Sequence, residues 1–255
     1  MILQAGGEPV NAARRSAAAV LAAAATTLCG AGLCAAGPCH AGGSARPVVV
    51  ELYTSQGCSS CPPADALLGE LSVRPGVLAL GFHVDYWDEL GWRDRFDLPL
   101  AAQRQSGYAR RLQLSTVYTP QMVIDGREDV AGFDRARLLQ SLAAPREGVP
   151  LHLEVRGAEL AVRIDAAAAP ADTDVFLVSY LPQATTAVGR GENSGRRLRE
   201  FNIVRSLTPL GRWHGEASAW HVTLKSLPAE ARGVAVLVQE RDAGPMIGAA
   251  SVALP

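Results

Sequence analysis

The chain has 255 residues, 48% of them hydrophobic, and its 24 basic and 25 acidic side chains leave a net charge of −1. That length suits one or two domains with a buried core, and no run of disorder-type composition interrupts it. No basic stripe interleaved with aromatics occurs, so nucleic acid is not an expected partner.

Residues 1–43 differ in kind from the rest. Arg14 and Arg15 precede the apolar, Ala-rich run from Ser16 to Leu28, and small residues continue to Gly43. A positive segment, a short apolar segment and a small-residue exit predict a secretory signal peptide. The apolar run is too short for a comfortable membrane span, so no stable span is expected after processing. The expected localisation is therefore exported, periplasmic or secreted. Cys29, Cys34 and Cys39 fall in this segment, leaving Cys58 and Cys61 as the mature pair if cleavage lies beyond Cys39. In an oxidising compartment the two are expected to be bonded to each other.

From Arg46 the chain reads "RPVVVELYTSQGC", a β-branched run that predicts a buried strand entering a turn. Ala64, Leu67, Leu68 and Leu71 then recur at helical spacing. "GVLALGFHVDYW", residues 76–87, is a second buried strand, and strand, helix, strand predicts a βαβ unit with parallel strands. A polar, aromatic-containing loop leads to the helical "LAAQRQSGYARRLQL". "TVYTPQMVIDGRE" carries a strand into the turn dipeptide Asp125-Gly126 and on to "DVAGF", a hairpin. "DRARLLQSLAA" closes the segment as a helix capped by Asp134.

"PREGVP", residues 145–150, reads as a breaker-rich linker. Beyond it, eight short alternating segments from "LHLEVRG" to "MIGAASVAL" predict an antiparallel β-sandwich. The longest polar interruption, "GRGENSGRRLRE" at residues 189–200, reads as a solvated hairpin loop.

Two cysteines three apart across a turn bring their Cα atoms to roughly 5–6 Å, a separation that a disulfide tolerates. Just ahead of a helix, a thiolate is stabilised by unpaired N–H groups and the positive end of the dipole. The pair therefore reads as a reversible redox centre. Two other readings stay open. One is a structural disulfide, although so small a loop removes little unfolded-state entropy. The other is a metal carrier: a zinc site wants four ligands and His83 is the lone histidine of residues 46–145, but two thiolates could hold cuprous copper.

Pro62 and Pro63 fit only the first helical turn, so the helix is predicted to begin near Pro62, with Cys58 the more exposed and attacking sulfur. His83 and Asp85 alternate along the second strand and so share a face; they read either as a satisfied polar pair at a strand end or, if that end approaches the cysteine turn, as a relay for the proton of the buried thiol. Trp87 and Trp92 read as core aromatics or as the walls of a groove beside the disulfide, and Gln56 is a candidate to hydrogen-bond near the sulfur or cap the turn. No Ser/His/Asp arrangement is readable, because His152, His214 and His221 have no motif context.

Strand, C-x-x-C, helix, strand, helix and a Thr-Pro before a hairpin resembles the thioredoxin fold over residues 46–145. The resemblance implies an α/β thioredoxin-like domain, followed over residues 150–255 by an all-β, sandwich-like domain that has no thioredoxin counterpart. It also implies that Pro120 is a cis-proline lying against the disulfide, with Thr119 lending backbone groups to a bound peptide. Gly57 before the first cysteine and serines between the two depart from ordinary thioredoxins. More closely, "ELYTSQGCSSCPPAD", "FHVDYW", "GWRDRF", "YTPQMVIDGRE", "GRGENSGR" and "NIVRSLTPLG" look like the exported bacterial family called domain of unknown function 1223. The function expected is thiol–disulfide exchange, with Cys58 forming a mixed disulfide that Cys61 resolves. Expected partners are protein thiols or disulfides or a redox partner protein, and no bound cofactor is needed.

Overall fold

In a computed structural model of the chain, residues 44–170 and 172–255 are described; the predicted signal segment, with Cys29, Cys34 and Cys39, lies outside them. Ser44–Arg46 forms a short strand (β1), and the β-branched run becomes Val48–Thr54 (β2), buried at every position. The cysteine turn leads into the helix Pro62–Ser72 (α1), which starts where its prolines allow. Pro62 and Pro63 fill the first two positions, where no helical N–H is lost. Ala64, Leu67, Leu68 and Leu71 form its buried face and join Val50, Leu52 and Ala79 in one core cluster. Val77–His83 (β3) runs parallel to β2, with Val48 opposite Val77 and Thr54 opposite His83.

Pro99–Arg111 (α2) follows, and then Gln121–Ile124 (β4) and Glu128–Ala131 (β5) make the expected hairpin. Asp125 and Gly126 take φ of 51° and 65°, the positive pair that an Asp-Gly turn supplies at least cost. Asp134 caps Arg135–Ser141 (α3) by accepting the Arg137 N–H at 3.1 Å. The stretch at 145–150 contains a strand, Arg146–Gly148 (β6), paired antiparallel with β1.

Seven more strands complete the chain: Leu151–Arg156 (β7), Glu159–Ile164 (β8), Thr173–Ala187 (β9), Arg197–Trp213 (β10), Ser218–Thr223 (β11), Gly233–Glu240 (β12) and Met246–Ala253 (β13). Two segments read separately from the sequence merge into β9 across Pro182. Strand β12 pairs with β9 only as far as Tyr180, so Pro182 lies where that side of β9 is an edge, which tolerates proline.

An α/β thioredoxin-like domain followed by a separate all-β, sandwich-like domain is not what the chain builds. The protein is mostly β, with three α-helices among the described residues, and its main sheet is mixed and eight-stranded in the order β13-β12-β9-β10-β3-β2-β4-β5. That sheet takes four strands from before residue 145 and four from after residue 150, so the βαβ unit never closes as a domain of its own. The join is β10 against β3, parallel, with Ile203 opposite Gly81.

Gly81 permits the approach, because a Cβ there would stand 3.0 Å from the Phe201 carbonyl oxygen. Asn202, at φ 42°, donates its side-chain amide to the Ala79 carbonyl at 2.8 Å and so satisfies a β3 acceptor at the crossing. A second sheet, β11-β8-β7, contributes Leu160, Val162 and Ile164 to a core with Val175, Leu177, Val234, Val236 and Trp213 of the main sheet. Across the first half of the main sheet, Glu51 of β2 holds Arg104 of α2 at 2.7 Å, and Arg104 also donates to Gln239 of β12 at 2.9 Å. Among the described residues no helix is long and apolar enough to cross a membrane.

Candidate functional site

Cys58 and Cys61 are joined by a disulfide, with Cα atoms 5.4 Å apart. The turn that carries them is tied by its own backbone. The Cys58 N–H donates to the Ser55 carbonyl at 3.1 Å and the Cys61 N–H to the Cys58 carbonyl at 3.2 Å. Helix α1 begins immediately after, with the Ala64 and Asp65 N–H groups both directed to the Cys61 carbonyl. Two prolines supply no N–H and the next two donors are engaged, so the expected free N–H groups at this helix start are not there. A thiolate here would draw on the helix dipole and on neighbouring side chains instead. The Ser60 hydroxyl lies 3.4 Å from the Cys58 sulfur.

Cys58 is not the exposed sulfur that the double proline suggested: both cysteines are 0% exposed. The loop between β9 and β10 is tied to the turn that carries them. In it Asn193 alone among residues 189–197 is buried, and its side-chain amide donates to the carbonyls of Gln56 and Cys58, each at 2.9 Å. Arg196 donates to the Asn193 side-chain oxygen at 3.1 Å, and the Ser59 N–H reaches the Glu192 carboxylate at 3.3 Å. The stretch read as a solvated loop is therefore clamped on the disulfide turn. Replacing Asn193 with alanine strands two buried carbonyls and is expected to weaken the closed form by about 1–3 kcal/mol. Reduction of the disulfide by a phosphine, followed by alkylation and mass spectrometry, should then run faster than in the parent. An unchanged rate would show that this loop does not limit access.

Gln56 is the hub of the contacts around this turn. Its N–H donates to Asp94 at 2.8 Å, and its side-chain amide donates to Thr186 at 2.9 Å and to Glu200 at 2.6 Å. Its side-chain oxygen accepts the Trp92 indole N–H at 3.0 Å. Trp87 stands on the other side of the turn: a Cβ on Gly57 would meet the Trp87 Cβ at 3.1 Å, and the Trp87 indole donates to the Thr119 hydroxyl at 2.9 Å. Both tryptophans thus touch the segment that carries the disulfide turn, and Trp87 also packs against the buried core. The Thr119-Pro120 bond is cis, and Pro120 packs by Gly132 at the start of the α1 face.

His83 and Asp85 do not share a strand face. Strand β3 ends at His83, so the alternation that would have put them on one face stops, and Asp85 lies half-buried in the following turn. The partner of His83 is Asp94, 2.7 Å from Nδ1, with both side chains buried. Burial acts to lower the imidazole pKa, but the Asp94 carboxylate beside it, aided by Glu200 and Asp65, raises it to about 9. Burial pushes Asp94 up, and His83 with the N–H groups of Gln56 and Phe96 more than reverses this, holding Asp94 below the usual carboxylate range.

Two further carboxyls complete the cluster. Asp65 of α1 accepts the Thr54 hydroxyl at 2.9 Å and is raised to about 7, chiefly by burial. Glu200 of β10 is also raised, again chiefly by burial. Sequence reading missed Asp65, Asp94, Asn193 and Glu200. Asp65 lies four residues after Cys61 and so on the same helical face, which was a usable signal. Glu200 occupies an inward position of its strand beside Leu198, a carboxylate in an apolar register, which was another.

Among the described residues no three or more His, Cys, Asp or Glu side chains converge as a metal-ligand group. In the disulfide form neither sulfur offers a thiolate to a soft ion. What the site can do chemically is accept two electrons at the S–S bond, with Asp65, raised to about 7, one helical turn from Cys61.

Fold and site together define a mixed-sheet protein with a buried dicysteine centre at a helix start. The chain belongs to the family described as "Protein of unknown function (DUF1223)", whose model matches residues 49–239. It is also similar to a protein from Agrobacterium tumefaciens solved by X-ray crystallography. The two are 30% identical over 82% of this chain and 95% of that one, with a TM-score of 0.71. Among curated proteins, none matches the sequence.

Proposed function

We propose that this protein carries out thiol–disulfide exchange through Cys58 and Cys61 in an exported, oxidising compartment, with the loop 188–196 lifting to admit the reacting sulfur. One observation carries the reading. Four buried ionisable groups, Asp65, His83, Asp94 and Glu200, are gathered around the elements that hold one small disulfide. Burying such groups is costly, and a staple across a three-residue separation needs none of them. Thiol–disulfide exchange has a use for such groups, because reducing the S–S bond creates two thiolates that must be stabilised or protonated, and Asp65, raised to about 7, can exchange a proton near neutral pH.

The contacts around the pair support one assignment of roles. Cys58 has the Ser60 hydroxyl at hand to stabilise its thiolate and is the sulfur that forms the mixed disulfide. Cys61, at the N-terminal end of α1, resolves it, and Asp65 one helical turn on is the candidate to take or return its proton. The arginine, serine and small-residue pattern of residues 1–43 supports export, where such a pair closes readily.

The test is reduction of insulin, or refolding of a scrambled disulfide substrate, by the parent and by Cys58→Ser and Cys61→Ser. Both variants are expected to lose turnover, and Cys58→Ser should lose mixed-disulfide formation as well. Equal activity in Cys58→Ser would sink the reading.

A further inference from the structure

Beside the cysteine turn, a groove of about 480 Å³ runs between the first turns of α1 and the start of β10. That volume falls in the range of small-molecule sites. Pro62, the residue after Cys61, stands at its edge, and Ala66, Leu198 and Phe201 give it apolar walls. Asp65 also lines it, although that residue is only 5% exposed. One Asp65 carboxyl oxygen accepts from Thr54; the other has no protein donor yet is not sealed off, and so it opens to the groove.

The opposite wall is cationic. Arg197 and Arg199 lie two apart on one face of β10, and among the described residues neither meets a carboxylate within 4.0 Å. Arg199 is steadied over the Phe201 ring at 5.4 Å and donates to Gln183 at 3.4 Å. Glu70, the other carboxylate on the rim, is already held by Arg135 at 2.6 Å.

A ligand with an ammonium for Asp65 and a carboxylate for the two arginines matches these charges, and the head of an α-amino acid carries both. We propose that the groove holds the amino-acid head of a small amino-acid disulfide, cystine being the simplest, and brings its sulfurs to the Cys58–Cys61 pair. The inference rests on the exchange reading above.

The step balances as follows. In the reduced protein one thiolate attacks a cystine sulfur, the cystine S–S bond breaks, and one cysteine leaves as its thiolate. The second protein thiolate then attacks the mixed disulfide, closing Cys58–Cys61 and releasing the second cysteine. Two electrons pass from the protein dithiol to cystine, and the two protein protons end on the released cysteines.

The groups around Asp65 set the pH dependence. His83 of β3, Asp94 of the following loop and Glu200 of β10 act on it, Thr54 of β2 donates to it, and Glu70, Arg197 and Arg199 share the groove. An ammonium needs the carboxylate form, so binding should strengthen as pH rises through about 7, where burial holds Asp65.

The experiment has two arms, both on the whole chain. Calorimetry of the oxidised protein with S-methylcysteine, whose sulfur is blocked, reads binding without exchange. Stopped-flow fluorescence of the reduced protein reads oxidation by cystine, cystamine, dithiodiglycolate and hydroxyethyl disulfide. Expected are measurable S-methylcysteine binding and a cystine rate roughly tenfold or more above the neutral disulfide, the size of one charge-assisted contact. In Asp65→Asn and in the Arg197→Ala/Arg199→Ala double variant the ratio of these two rates should fall toward one. Equal rates for all four disulfides with no S-methylcysteine binding would overturn the groove and leave the exchange reading standing. If no disulfide oxidises the pair, the exchange reading itself falls.

Discussion

Replacing Asp94 with alanine is expected to destabilise the protein by about 3–5 kcal/mol, the cost of leaving one partner of a buried ion pair uncompensated. Asp94 is 0% exposed and His83 is 2% exposed, so no water takes the place of the lost carboxylate without the site opening. The same substitution strips an acceptor from the Gln56 N–H and from the Phe96 N–H, and the first of these holds the cysteine turn in place. Asp94→Asn is the instructive companion. It keeps an oxygen for one N–H but removes the charge, so it should lose less stability while dropping the His83 pKa, because burial alone acts to lower it. Urea denaturation of both variants reads the stability, and NMR titration of His83 reads the pKa. A loss below 1 kcal/mol in the alanine variant would mean that the pair does not hold this part of the fold.

The second large effect is a fall in stability as pH rises from mildly acidic to alkaline. His83 is raised to about 9 from the ordinary imidazole value of 6.5, so its contribution is fully present below about 6.5 and is lost as pH rises through 9. Each tenfold change in proton affinity is worth 1.36 kcal/mol, which makes this loss about 3 kcal/mol. Asp65 acts in the same direction. Its carboxyl is raised to about 7 from 3.8, so the cost of ionising it in the fold is absent below about pH 4 and fully felt above 7. Asp94, held below its usual range, contributes stability above about pH 4 that is lost as pH falls through its folded value.

Stability is therefore expected to peak near pH 4 and to fall by several kcal/mol toward pH 9. Asp65→Asn should flatten the curve between pH 4 and 7 and leave the fall between 6.5 and 9. Urea midpoints that stay level or rise from pH 5 to pH 9 would remove the prediction and with it the cluster's assigned charges.

Local structure was legible because it is written in neighbours. The helical spacing of Ala64, Leu67, Leu68 and Leu71 marked the buried face of α1, the two prolines marked its first turn, and Asp125-Gly126 marked the hairpin. The architecture was not, because the decisive contact pairs Ile203 with Gly81, and nothing in the alternation of either strand names its distant partner. The site shows the same division. Both cysteines and Gln56 were visible beside one another in the sequence, and Trp87 and Trp92 stood out as aromatics in the polar loop after the second strand. Asn193 was hidden as one buried residue among exposed ones, in a loop whose charges suggested solvent. His83 was identified and its partner mistaken, since a turn after β3 carries Asp85 out of register and folds Asp94 back.

Strand β10 begins beside the loop tied to the disulfide turn, crosses β3 at Gly81 and ends at the buried Trp213. A cut at 145–150 would give two pieces, one holding the sulfurs and the other holding Asn193 and Glu200. The first piece would expose the bare edge of β3, which is a template for strand addition. Neither piece would carry a finished centre, and that same edge is where they would rejoin. The molecule is thus a natural candidate for splitting into complementing fragments, whose reunion could be followed by the disappearance of a reactive thiol.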